Sequence, residues 1–281
     1  MGMIVRAVGA GMVVMLAGTL PRNALFLANL KYGRAVPWSV PLIAAWTWFF
    51  WRYAGGWGSP AETAQTRREG LRANAVPGHV WAWALVSGGL GLVALVLALR
   101  VANRLFALPS QDASAFAGVP AVTVVPLLLL SAPVAGVVEE AAFRGYMQGP
   151  IERRLGLPLA ILVTGTMFAI AHLDFTLVLW PYYLAVAALY GTVTHLTRSI
   201  LPAVVLHAGG NLYSNFDLWL HGRSDWQAPA GASALVWRVG PDAHFWGSIA
   251  ALVLCTGATL WAFSRLAALR SCPRASSRAG A

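Results

Sequence analysis

The sequence predicts an all-α polytopic transmembrane helix bundle of about eight spans, and three observations lead there. Hydrophobic residues are 58% of the 281 and charged residues only 11%, against ~25% charged for an ordinary soluble domain. Mean hydropathy is +0.64, more apolar surface than a soluble core of this length could hide and a composition that lipid accepts. The apolar residues also fall into runs of 17–23 residues, the length that crosses ~30 Å of hydrocarbon.

Taken in order, the runs are 4–20, 36–54, 79–99, 116–138, 157–173, 175–196, 200–220 and 244–264. The first has Arg6 ahead of it, like a signal peptide. No small-x-small cleavage site with a polar start follows, so it reads as a retained anchor. Trp38, Trp51 and Trp57, Trp81 and Trp83, Trp219 and Trp226, and Trp246 lie near run ends, as interfacial belts do. Gly88-Gly89-Leu90-Gly91 suits close helix packing. No internal repeat is visible. The chain divides into N-terminal spans without a motif (1–110), a motif-bearing helical core (116–220), and a loop, last span and basic tail (221–281).

The net charge of +10 is not a nucleic-acid signature. Of the 20 basic residues all but Lys31 are arginine, scattered between apolar runs rather than gathered into a patch with aromatics. In a membrane protein that pattern carries topology. With eight spans, 13 of the 20 fall on the side of both termini: Arg6; Arg52, Arg67, Arg68 and Arg72; Arg144, Arg153 and Arg154; Arg198; Arg265, Arg270, Arg274 and Arg278. Both termini are therefore expected in the cytoplasm. Cys255 and Cys272 make no disulfide framework and no cysteine-based zinc site.

Ionisable groups in or beside spans are costly and by default functional. Three places carry them: Glu139-Glu140-x-x-x-Arg144, Phe168-x-x-x-His172 and His207-x-x-x-Asn211. Glu140 and Arg144 are one helical turn apart and can pair. Glu139 points ~100° away from that pair, which leaves it suited to take a proton from water. His207 and Asn211 project side by side, and Phe168 can wall off the His172 ring. Positions 139 and 172 are equidistant from 155.5, where Gly156-Leu157-Pro158 is a natural helix break. An antiparallel hairpin about that break brings Glu139 level with His172. The depth of His207 agrees if the polar stretch 144–154 extends past the membrane by roughly two turns. His79, His195, His221 and His244 read as structural or interfacial residues, and Asn211 alone could be helix–helix glue. All three motifs on consecutive helices are harder to explain that way.

The three motifs, with Phe143-Arg144-Gly145 and the Gly-Leu-Pro break, resemble the CPBP family of intramembrane proteases. That family takes in the Rce1-type CAAX prenyl endopeptidases and bacteriocin-processing or immunity proteins. The resemblance covers about residues 116–220. It implies that Glu139 activates the attacking water, that His172 shares or steers that proton, and that His207 and Asn211 hold the oxyanion. Arg144 with Glu140 looks architectural, with Phe168 in support. The chemistry is apt: peptide hydrolysis needs a base for water and donors aimed at the developing charge. On cofactors, a metal-free glutamate mechanism is favoured, there being no His-Glu-x-x-His. The alternative is zinc on Glu139, His172 and His207. The implied partners are the lipid bilayer and a membrane-associated protein or peptide, such as a C-terminal sorting tag or a peptide precursor. No nucleic acid is expected, and the location implied is the bacterial inner membrane. Two other classes stay open: a non-catalytic scaffold or immunity protein of the same fold, and a proton-coupled transporter. Retention of all four site residues speaks against the first, and the lack of an inverted repeat against the second.

Overall fold

The computed structural model describes residues 2–106, 108, 116–172, 177–222 and 235–271, and among these there are helices and no strand. Trp226, Cys272, Arg274 and Arg278 lie outside the described residues. The helices are α1 (Gly2–Tyr32), α2 (Ser39–Ala54), α3 (Ala64–Leu71), α4 (Gly78–Leu105), α5 (Ala121–Glu139), α6 (Gly149–Leu155), α7 (Leu157–Ala171), α8 (Trp180–Thr197), α9 (Leu201–His221), α10 (Val236–Val239) and α11 (Ala243–Ser271). Between α5 and α6 the helix continues as a π-helical segment, Glu140–Gln148.

The eight apolar runs all lie mainly on helices, but they are not equal as spans. Five helices are long and apolar enough to cross a bilayer: Gly2–Tyr32, Gly78–Leu105, Ala121–Leu155, Leu177–Thr197 and Ala243–Arg270. Helices α2 and α7 have 16 and 15 residues, or ~22–24 Å, short of a ~30 Å core. Helix α9 has 21 but carries His207, Asn211, Asn215 and Asp217 along its length. The molecule is therefore a multi-pass helical bundle with five strong spans, and the count of eight stays an expectation.

Helix breaks follow from local chemistry. Pro120 starts α5 in an extended conformation (φ −60°, ψ 143°), so the run that begins at 116 becomes helical only at Ala121. Gly156 has φ 82°, a region open to glycine, and with Pro158 in the first turn of α7 it makes the expected break. The hairpin register follows: Phe143 and Phe168, like Glu139 and His172, are equidistant from that break, and their rings meet edge to face at 5.3 Å.

Helix α11 packs along α4, α9 along α5, α7 against α8, and α1 across the π segment. Close approach depends on glycine. A Cβ on Gly136 would lie 2.9 Å from the Val204 carbonyl oxygen, so α5 and α9 touch backbone to backbone one turn before Glu139 and Glu140. In Gly88-Gly89-Leu90-Gly91, Gly88 seats Leu206 and Gly91 seats Leu189, whereas Gly89 faces open space.

The polar stretch 144–154 is mostly inside the protein. Arg144, Gln148 and Ile151 are buried, and only Arg153 and Arg154 at its end are exposed. Two arginines in the topology tally are thus structural. Arg144 is buried, and Arg67 is held by the carbonyls of Tyr53 and Gly58 at 2.9 Å.

A second polar cluster gathers beyond the break. Glu152 accepts hydrogen bonds on one oxygen from Arg72 at 3.2 Å and Gln148 at 3.0 Å. On the other it meets His195 Nδ1 at 2.7 Å, and His195 Nε2 in turn meets Arg270. An arginine only donates, so His195 there carries its proton on Nδ1 and presents a lone pair at Nε2. Helices α6, α8 and α11 and the residue after α3 are tied at this point. The structural reading of His195 fits its place here.

Candidate active site

The three motifs reach one place from three directions. The end of α5 and the start of the π segment supply Glu139, Glu140 and Arg144; the end of α7 supplies Phe168 and His172; α9 supplies His207 and Asn211. Glu139, Phe168, His172, His207 and Asn211 all line a cavity of about 550 Å³. Its opposite wall is an apolar face of α4 around Leu92 and Val96, and α8 adds Tyr183 and Tyr190. Glu140 and Arg144 lie behind the wall with no exposure.

The tightest contact had no signal in the sequence. Glu140 Oε1 accepts from His207 Nδ1 at 2.8 Å and stands 3.2 Å from Arg144 Nη1. The expected Glu140–Arg144 pair is present, but the carboxylate also orients the histidine. His207 Nε2 is turned to Glu139 Oε2 at 3.6 Å, so the imidazole bridges the two glutamates. Glu139 is less isolated than the helix-face argument expects: beside His207, Arg22 of α1 interacts with it electrostatically. Both partners come from distant helices, which i,i+4 reasoning does not see.

Arg144 makes no aligned hydrogen bond through its guanidinium nitrogens. Its charge sits instead among aromatic faces, 5.1 Å from Phe168, 5.3 Å from Tyr190 and 5.9 Å from Phe143. Cation–π attraction strengthens where water is excluded. The same rings hold the histidines: Tyr190 stacks on His207 at 5.1 Å and 12°, and Phe168 contacts His172 at 4.4 Å.

His172 Nδ1 lies 2.8 Å from the Phe168 carbonyl oxygen. A carbonyl only accepts, so the proton is on Nδ1 and neutral His172 offers Nε2 as an acceptor. Unlike His207 it is exposed. The zinc alternative calls on Glu139, His172 and His207. Among the described residues no group of three or more His, Cys, Asp or Glu side chains is arranged to hold a metal ion.

Tyr183, Tyr190 and Arg22 were missed. Tyr183 and Tyr190 are seven apart on α8, an i,i+7 pair of amphipathic rings on one helix face, and that spacing was the available signal. Arg22, a charge inside the first apolar helix, was another.

Residues 121–213 match the family described as type II CAAX prenyl endopeptidase Rce1-like. That span contains every predicted catalytic residue. No curated protein and no solved structure matches the chain.

Proposed function

We propose, on the match of residues 121–213 to the Rce1-like family, that this membrane protein is an intramembrane endopeptidase using glutamate-activated water. The observation that carries the reading is the lining of one cavity by Glu139, His172, His207 and Asn211, with Glu139 backed by a fixed imidazole. Glu139 takes a proton from water as the water attacks a peptide carbonyl, and a neutral His172, its Nδ1–H held by the backbone bond, presents Nε2 to receive or pass on that proton. The buried Glu140 carboxylate compensates the charge of a His207 imidazolium, the form in which Nε2 is a donor. With Asn211 it stabilises the carbonyl oxygen as charge develops. Low dielectric around the cavity strengthens both effects.

The mechanism is proposed as metal-free, since a glutamate base with His207 and Asn211 as donors completes the reaction without a metal. The substrate is a membrane-associated protein or peptide, in the class of C-terminal sorting tags or peptide precursors, and its apolar part runs along α4. The protein sits in the inner membrane with both termini cytoplasmic, a placement supported by the arginine bias. Reporter fusions at Arg6 and after Arg274 test it, and a periplasmic signal at either end overturns it. The activity is tested by sequencing new N-termini in a co-expressed membrane proteome. Termini made by the wild type and absent with Glu139→Gln are expected, and identical sets in both sink the endopeptidase reading.

A further inference from the structure

In the proposed mechanism the oxyanion has two donors, His207 Nε2 and the Asn211 amide. Glu140 holds His207 Nδ1 at 2.8 Å, and Nε2 stands 3.6 Å from Glu139 Oε2. A developing oxyanion is best held by several donors, so a further one beside this pair would add to catalysis.

Tyr190 is placed to supply it. The residue is 4% exposed and lines the same cavity. Its ring lies parallel to the His207 imidazole at 5.1 Å, with the Arg144 guanidinium 5.3 Å from its centre, so its direction is set by packing on both. The hydroxyl ends beside α9 at Gly210, 3.8 Å from where a Cβ would stand. That position adjoins Asn211 and lies one turn beyond His207 in the chain. Because residue 210 is glycine, no side chain stands between the hydroxyl and the α9 backbone at that position.

Resting on the endopeptidase reading, we propose that the Tyr190 hydroxyl is an oxyanion donor alongside Asn211. It donates a hydrogen bond to the carbonyl oxygen of the scissile peptide as water adds. The O–H bond is not broken, and the proton taken from water still goes to Glu139 or His172. A phenol suits the task, since it donates a hydrogen bond without giving up its proton.

The test uses the full-length protein in liposomes and the peptide spanning the main cleavage site found by comparing wild type with Glu139→Gln. Tyr190→Phe keeps the ring, and so the stacking on His207, and removes the donor. It should lower kcat by roughly 10²-fold, the usual effect of losing one such donor, with KM, melting temperature and the pH profile unchanged. Gly210→Ala puts a methyl group 3.8 Å from the hydroxyl, an ordinary contact that leaves the fold intact. It should also lower kcat, and lower it no further in the Tyr190→Phe background. Wild-type kcat in Tyr190→Phe overturns the donor role, and so does a shifted pH profile with an unchanged plateau, because the phenol would then act through His207. If Tyr190→Phe does not fold, unchanged kcat in Gly210→Ala overturns it. Full activity in Glu139→Gln breaks the endopeptidase reading instead.

Discussion

The two polar clusters on the helix 121–155 are built from the same residue types and could hardly be satisfied more differently. At Glu152 both carboxylate oxygens have partners, and His195 is engaged at both nitrogens. At the cavity, Glu139 Oε2 and Glu140 Oε2 are buried without a hydrogen-bond partner, and so are the three guanidinium nitrogens of Arg144. A fully paired network rigidifies a fold, whereas buried groups left short of partners are costly and call for an explanation. For Glu139 the explanation is the cavity it lines, whereas Arg144, behind the wall, has its charge among the faces of Phe168 and Tyr190. Pairing of the carboxylates, rather than the presence of charge, separates the Glu152 cluster from the proposed chemical one, although Gln148 Oε1 in the former is also buried without a partner.

The sharpest way to break the comparison is at Glu139. Glu139→Gln keeps the shape and loses the base, and cleavage should fall by ~10²–10⁴-fold while the yield of folded protein barely changes. Glu140→Gln should behave differently, since it weakens the hold on both Arg144 and His207. A loss on the order of 3 kcal/mol is expected for breaking a buried pair, read as a lower melting temperature in detergent, together with reduced activity. Normal cleavage by Glu139→Gln beside a well-folded, inactive Glu140→Gln would reverse the two roles.

Smaller effects belong to the satisfied cluster. Glu152→Gln should cost about 2 kcal/mol through weakened charge-assisted hydrogen bonds, with activity per folded molecule kept. A large activity loss at unchanged stability would place Glu152 in the chemistry and erase the distinction. The smallest effect is expected at Asp242, which caps α11 by accepting from the Phe245 amide at 2.8 Å and pairs with Arg104 at 3.0 Å. The amide, then Arg104, lower its pKa, so the cap is complete above the usual carboxylate range and is lost as pH falls through the lowered value. Hydrogen exchange at the start of α11 should therefore quicken in acid, and Asp242→Asn should flatten that dependence.

Legibility from sequence followed the range of each interaction. Apolar runs, the break at Gly156 and the Glu140–Arg144 pair are local, and they were readable from composition, glycine and proline chemistry and helical spacing. The meeting of three motifs at one cavity was readable only because each motif is internally periodic. What joins them was not. Glu140 and His207 are 67 residues apart, Glu152 and His195 are 43, and Arg22 reaches Glu139 from the first helix. No local rule specifies such pairs. Span number is not fixed by local rules for a related reason: α2, α7 and α9 are helices by propensity, but whether each faces lipid or protein along its length depends on its neighbours.

The π segment has a consequence for how one rod serves two clusters. Each residue in a π turn advances less around the axis than in an α turn, so nine of them, Glu140–Gln148, accumulate an angular lag. Glu140 at its start is aimed at α9, and Glu152 beyond its end at α8. The segment acts as a phase shifter between these two bearings. Removing one residue from it would restore ordinary α winding and rotate α6 against α5. The chain could then keep Glu140 on His207 or Glu152 on His195, but not both.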